Sequence, residues 1–252
     1  MIRVALAGHR GRTGGALVPA LSAAEDVDYV GGLGRADELE AFLRDRRPQA
    51  LVDFTHPSAA LATALAAAGA GAAPVVGTSG LSEDAVDELE RACAAAGVGG
   101  IVAPNFAIGA VLMMHLADLA APYFEAAEVI EMHHAGKADA PSGTALATAR
   151  RLAAARERAG RPPYAYNRPE KVTLAHARGG EERGVGVHSV RLPGAVGDQE
   201  VLLGLPGQTL SIAHRTTSRE CYAPGVLLAI RRVVAEPRFY RGLDTVLGLT
   251  IG

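Results

Sequence analysis

Over the first hundred residues, short β-type apolar runs alternate with longer stretches in which apolar positions recur at helical spacing. The runs Val4–Ala7, Val27–Leu33, Ala50–Phe54, Pro74–Gly77 and Gly100–Ala103 predict five strands. Between them the pattern predicts helices from a glycine-rich turn to about Ala24, over Asp37–Arg46, over Ala59–Ala68 and over Ser82–Ala96. In the second of these, Leu39, Phe42 and Leu43 fall at i, i+3 and i+4. Pro19 is expected to bend the first helix or break it locally, because its ring removes an N–H donor and crowds the preceding turn. Strand and helix alternating at this spacing predict a parallel sheet covered on both faces, with right-handed crossovers.

After Pro104 the pattern changes. Ile108–Leu119 is apolar enough for a buried helix, Glu128–His133 reads as a strand, and Ser142–Arg158 as a helix with a well-marked start. Arg161–Pro169 is rich in proline and reads as a loop. From Val185 to Ile212 short β runs alternate with Pro-Gly and Gly-Gln turns, the pattern of antiparallel sheet. Tyr222–Val234 predicts a final helix with Pro224 in its first turn. The switch from β/α alternation to a β meander, and back to a helix, predicts a discontinuous arrangement. Residues 1–105 with 217–252 form one domain, and 106–216 are inserted as a second.

Composition narrows the function without naming it. The 252 residues suit two small domains, and 49% apolar with 21% charged residues is ordinary for a soluble globular protein. A net charge of −2 gives no electrostatic case for nucleic acid. Two cysteines, Cys93 and Cys221, build no disulfide framework and point to a reduced, cytoplasmic protein. No membrane segment is expected. The most apolar run, Ala59–Val76, is mostly alanine and glycine, and the amino-terminal run is too short for a signal sequence.

Gly8, Gly11 and Gly14 keep a G-x-x-G-x-x-G spacing between the first strand and the first helix. Alone, such a triplet is also compatible with a tight turn. At the first strand–helix junction, with four further β/α units behind it, it reads as a dinucleotide-binding loop. There glycine lets the backbone approach a pyrophosphate, and the helix terminus supplies N–H groups. The fold class is therefore α/β: a Rossmann-type doubly wound parallel sheet with a second α+β domain built on a mixed or antiparallel sheet. The acidic residue that would bind a ribose is missing at the end of the second strand, which reads Gly32-Leu33-Gly34-Arg35. Arg35 and Arg12 instead favour a 2′-phosphate, so NADPH is expected to serve at least as well as NADH. The alternative is a solvated Arg35 with Asp37 on the ribose.

The densest chemistry lies in EVIEMHHAGKADAPSGTAL, Glu128 to Leu146. His133, His134 and Lys137 concentrate proton donors and positive charge at a strand end. Asp139 can orient the lysine. Ser142, Gly143 and Thr144 open a helix and offer N–H groups and two hydroxyls to a carboxylate. The combination suits a small anionic substrate that is protonated as it reacts. No metal site is expected, since no further Cys, His or Asp lies at ligand spacing. His56, His115, His176 and His188 read as surface or locally satisfied residues, Cys93 as a packing residue, and His9 as a residue of the phosphate loop.

The run from Glu131 to Ala145 matches E-x-H-H-x-x-K-x-D-A-P-S-G-T-A without a gap. It resembles the signature of the 4-hydroxy-tetrahydrodipicolinate reductases, long called dihydrodipicolinate reductases. The resemblance extends through Val52–Pro57, Gly77–Gly80, Ala103–Ala110, His188–Gly204 and Pro224–Val233, nearly the whole chain. It implies that His133 is the acid–base histidine and Lys137 the proton-donating lysine, with His134, Gly143 and Thr144 on substrate carboxylates. It also implies that Gly8–Gly14, including Gly11, Arg12 and Thr13, carries the cofactor pyrophosphate. Gly77, Thr78 and Ser79, with Ala103, Pro104, Asn105 and Phe106, then lie along the ribose and nicotinamide. The family often reads G-E-H-E where this chain has Gly197-Asp198-Gln199-Glu200, so no role carries over to Gln199. Thr13 stands where methionine is common.

What the resemblance implies is reduction of a cyclic imine-type dicarboxylate by NADPH or NADH in the diaminopimelate route to lysine, by a homotetramer assembled through the sheet of the second domain. Two rivals remain from the residues alone. A different two-domain NAD(P)-dependent dehydrogenase explains the first hundred residues equally well but not the contiguous signature. A nucleotide-sensing module would bind cofactor without turnover.

Overall fold

The computed structural model describes residues 1–249, so the last three residues of the expected 217–252 segment lie outside the described residues. The chain divides into two compact units: one runs from Met1 to Ile108 and resumes at Arg219, the other from Gly109 to Ser218.

The first unit holds a six-stranded, wholly parallel sheet in the order β11-β5-β4-β3-β1-β2. Its strands are β1 (Ile2–Ala7), β2 (Val27–Leu33), β3 (Ala50–Asp53), β4 (Ala73–Val76), β5 (Gly100–Val102) and β11 (Phe239–Arg241). The central strands β3 and β4 are buried at every position, which explains why they read as unbroken apolar runs. Helices α2 (Leu39–Arg46), α3 (Pro57–Gly69) and α4 (Glu83–Ala96) form one packed group; α1 (Arg12–Ala23) and α7 (Ala223–Ala235) form another. Helix α7 packs on β3, β4 and β5, so the chain returns to this sheet after the second unit. The backbone of Phe106 comes so close to Gly225 that a Cβ there would lie 2.1 Å from its carbonyl oxygen.

Two expectations change here. Helix α1 runs through Pro19 without a break. Its inner face, Leu17 and Leu21, is buried in the core, and that packing outweighs one lost hydrogen bond. Helix α2 begins at Leu39 rather than Asp37, because the Asp37 carboxylate accepts the Gly34 N–H (2.7 Å) and closes a turn instead. Strand β11 and the short helix α8 (Leu243–Val246) follow α7 and carry no periodicity long enough to be read from sequence.

The second unit has five strands in the order β10-β9-β6-β8-β7. They are β6 (Ala126–His133), β7 (Gly180–Glu182), β8 (Val185–Arg191), β9 (Gly197–Leu205) and β10 (Gln208–His214). The expectation of antiparallel pairing through Val185–Ile212 holds for β9 with β10, and β8 and β9 also pair antiparallel with β7 and β6, but β8 and β9 are not neighbours. Strand β8 lies on the far side of β6 and runs parallel to it. The reason is connectivity: between β6 and β8 the chain passes through α6 (Gly143–Arg158), which packs on both strands, and then through β7, which runs antiparallel to β8. A tight hairpin would have made β6 and β8 antiparallel, and this long connection leaves them parallel. Alternation along a strand reports which face is buried, not which neighbour it has.

Ala127 and Val129 of β6, Val185 and Val187 of β8, and Val201 and Leu203 of β9 meet Ala145, Ala149, Leu152 and Ala155 of α6. Met113, Ala117 and Ala121, on and just after α5 (Ile108–Ala120), complete this core. Among the described residues no helix is long and apolar enough to cross a membrane.

Candidate active site

In the first unit, the turn from β1 to α1 is shaped by close backbone approach. Gly8 has φ +82°, and a Cβ there would lie 2.5 Å from the Phe54 carbonyl oxygen. A Cβ on Gly14 would lie 2.2 Å from the Gly8 carbonyl oxygen. Gly11 is the N-cap of α1, and no side chain caps that helix. An uncapped helix terminus behind a glycine cradle fits a pyrophosphate, which would take the free N–H groups and the positive end of the helix dipole. Arg12 and Thr13 open α1. Among the described residues neither Arg12 nor Arg35 has an ion-pair partner, and both are exposed. His9 is tucked against Gly32, its Nδ1 buried and unpaired.

The loops after β3 and β4 are tied together by a carboxylate that sequence reading did not single out. Asp53 is buried and accepts the Thr78 hydroxyl at 2.6 Å, and the Thr55 N–H and hydroxyl at 3.0 and 2.9 Å. Burial pushes its carboxyl up, and the hydrogen bonds from Thr78 and Thr55 offset this only in part. Phe54 lies over Gly77 and meets Phe106 edge-on, with ring centroids 6.0 Å apart. Asn105 accepts the Ala107 N–H (2.9 Å), while Ala103 is buried and Pro104 exposed; Ser79 follows Thr78 in the loop after β4. The sequence-predicted cofactor residues thus share one unit, and Asp53 bridges two of their loops.

In the second unit the signature folds around Glu131. This side chain continues the inward phase of β6 set by Ala127 and Val129 and is fully buried. Its Oε2 accepts from His133 Nδ1 at 2.5 Å and from Arg191 Nη1 at 2.8 Å. Its Oε1 accepts from Arg191 Nη2 at 2.8 Å and from the Ser142 N–H at 3.2 Å. Burial alone would raise this carboxyl; hydrogen bonds from Arg191, Ser189 and His133 outweigh it and hold it below its ordinary range.

Lys137 Nζ donates to Asp139 Oδ1 at 2.7 Å, as the sequence spacing anticipates, and Arg191 Nη2 also donates to the Asp139 carbonyl at 2.7 Å. The lysine ion pair holds Asp139 below its usual range. Ser142 is the N-cap of α6, its hydroxyl accepting the Ala145 N–H at 3.2 Å, so Gly143 and Thr144 form the first turn. His134 accepts the Lys137 N–H through its backbone carbonyl. His133 and Ser142 are therefore held on the Glu131 carboxylate, and Lys137 joins them through the Asp139 carboxylate and Arg191; among the described residues no side-chain hydrogen bond ties in His134.

Sequence reading passed over Glu131, Arg191 and Asp53 as members of the site. Glu131 left a signal, a charge in the apolar phase of a strand; Arg191, sixty residues on, left none. Gln199 is buried opposite Glu131 in the ladder and donates to Thr148 Oγ1 at 2.7 Å. His188 and His56 are locally satisfied, by Glu128 and by the start of α3. Among the described residues no three His, Cys, Asp or Glu side chains group as a metal site.

A glycine cradle on a parallel sheet, and a buried proton-handling cluster in a second unit, define a nicotinamide-dependent reductase. Family models for the amino-terminal and carboxy-terminal parts of dihydrodipicolinate reductase match residues 2–106 and 109–247. The chain belongs to the dihydrodipicolinate reductase family, whose members are NAD(P)H-dependent oxidoreductases. It is 45% identical to the 4-hydroxy-tetrahydrodipicolinate reductase of Moorella thermoacetica, over 98% of each chain. It is 44% identical to that of Mycolicibacterium vanbaalenii, over 98% of this chain and all of the relative. A dipicolinate-bound dihydrodipicolinate reductase from Paenisporosarcina sp. TG-14 superposes with a TM-score of 0.87 at 35% identity, covering 97% of this chain and 99% of that one. Both halves of the chain match one family, which decides against an unrelated two-domain dehydrogenase.

The lowered Glu131 carboxyl makes a prediction about stability. Its contribution is complete above its ordinary value of 4.5 and is lost as pH falls through the lowered native value. Glu131→Gln is expected to cost about 3 kcal/mol near neutral pH, the scale for breaking a buried ion pair. Measured by urea unfolding, the difference between wild type and variant should hold steady down to about pH 5 and shrink below it. A difference that stays constant well below pH 4.5 contradicts the assignment.

Proposed function

We propose that the chain carries out the reaction named for its relatives, the NAD(P)H-dependent reduction of 4-hydroxy-tetrahydrodipicolinate to tetrahydrodipicolinate with loss of water, in the diaminopimelate route to lysine. The observation that carries the reading is the unbroken run from Glu131 to Ala145 folded round one buried carboxylate. When bound, the nicotinamide supplies the hydride that adds to a ring carbon conjugated with the substrate nitrogen. Negative charge then grows on the nitrogen side of the ring. Lys137 and His133 are the groups that hold and deliver the proton which quenches it. His134 and the first turn of α6, Ser142, Gly143 and Thr144, hold the substrate carboxylates, supported by the N–H groups of an α-helix start.

Gly8, Gly11, Arg12, Thr13 and Gly14 hold the pyrophosphate, and Gly77, Thr78, Ser79 and Ala103–Phe106 hold the ribose and nicotinamide. Residues 1–105 with 217–252 are thus the dinucleotide-binding domain, and 106–216 the domain for substrate and assembly. The assembly is a homotetramer in the cytoplasm. Exposed Leu112, Leu116 and Leu119 of α5 and Leu210 of the edge strand β10 support the assembly.

Lys137→Ala and His133→Ala are each expected to lower kcat by about 10²–10⁴-fold while leaving the Michaelis constant for the cofactor nearly unchanged. Initial rates followed by nicotinamide absorbance check this. An unchanged kcat in a folded variant removes that residue from the mechanism.

NADPH is expected to serve at least as well as NADH. Asp37 is already engaged by the Gly34 N–H, and the exposed guanidiniums of Arg12 and Arg35 are free to meet a 2′-phosphate. Arg35→Ala should then raise the Michaelis constant for NADPH about tenfold, the scale of one charge-assisted pair, and spare NADH. A strong preference for NADH, or equal loss of both cofactors, overturns this.

A further inference from the structure

We infer that Glu131 is a positioning residue for the reduction: it fixes the tautomer and orientation of His133 and, through Arg191, the segment that carries Lys137. The inference rests on those two residues handling the proton, as proposed above.

Its location is the first argument. Glu131 occupies a phase of β6 where Ala127 and Val129 fill the core, and its side chain is fully buried. Apolar residues in place of both Glu131 and Arg191 would complete the core, since a buried ion pair replaced as a whole by apolar side chains often costs no stability. A carboxylate at this point therefore answers a need other than packing.

Its donors say which. The carboxylate carries no proton, because the Arg191 fork and the further donors hold it below its ordinary range. His133 Nδ1, 2.5 Å from Oε2, must therefore be the donor. Neutral His133 then keeps its proton on Nδ1 and turns a lone pair out at Nε2; charged His133 presents an N–H there. A fixed ring whose outer nitrogen alone gains and loses the proton is what a substrate-facing acid requires. The second arm runs through Arg191. The guanidinium that neutralises Glu131 also holds the Asp139 carbonyl at 2.7 Å, and the Asp139 carboxylate holds Lys137 Nζ at 2.7 Å. The Ser142 N–H on Oε1 anchors the start of α6 to the same group.

Ring-¹⁵N-labelled histidine spectra of the intact wild-type enzyme test this without a variant, the His133 signals being assigned by their loss in His133→Asn. Neutral His133 should carry its proton on Nδ1. Glu131→Gln, which keeps the shape but offers one acceptor oxygen where the carboxylate offers two, should move part of that proton to Nε2. It should also lower kcat by about 10²-fold, the lower end of what a placed acid–base group contributes, with the Michaelis constant for NADPH unchanged. Arg191→Lys keeps the charge and loses the fork, and should lower kcat while leaving the Nδ1 proton in place.

A wild-type His133 protonated on Nε2, or a Glu131→Gln enzyme with wild-type tautomer and kcat, overturns the inference. A fully active His133→Ala enzyme would instead defeat the acid–base reading, and the spectra would still show whether Glu131 orders the ring.

Discussion

Removing a carboxylate from water costs several kcal/mol unless its lone pairs are matched and its charge balanced. For Glu131 the matching comes from a bidentate guanidinium, an imidazole and a backbone N–H, all within the second unit. The sheet makes this possible. Parallel pairing of β6 and β8 sets His133 opposite Arg191 in the ladder, and α6 lies over both strands. The proton-handling end of the strand and the helix start are consequently donors to the same two oxygens, and the lysine segment is tied to them through Arg191 on the Asp139 carbonyl.

The first unit contains a buried carboxylate with the opposite electrostatics. Among the described residues Asp53 meets hydroxyls and an N–H, from Thr55 and Thr78, and no cation. Burial therefore prevails and its carboxyl is raised, whereas the ion pair keeps that of Glu131 low. Asp53 pins neighbouring loops through hydrogen bonds; Glu131 also has a charge to spend on ordering a histidine.

Much of this was legible in the chain. The central strands β3 and β4 were visible because both faces are covered, and the glycines at 8 and 14 because backbone contact leaves no room for a side chain. The run from Glu131 to Ala145 was visible as chemistry because its titratable groups are close in sequence. What escaped was long-range. The parallel pairing of β6 with β8 spans α6 and β7, and alternation along Val185–Ile212 does not encode it. Arg191 reaches Glu131 across sixty residues, and β7 and β11 are three residues each, held by neighbours rather than by their own pattern. Pro19 misled because local propensity is overridden where Leu17 and Leu21 are buried. Gln199, beneath α6 and bonded to Thr148, belongs to the packing around Glu131.

A double-mutant cycle on kcat with Glu131→Gln and His133→Ala is the most direct measurement of the central claim, since coupling within a cycle isolates groups that act through one another. If Glu131 works through His133, Glu131→Gln will cost far less in the His133→Ala enzyme than in the wild type. If it lowers kcat by the same factor in both backgrounds, the buried carboxylate does not act through the histidine and the account of the site is wrong.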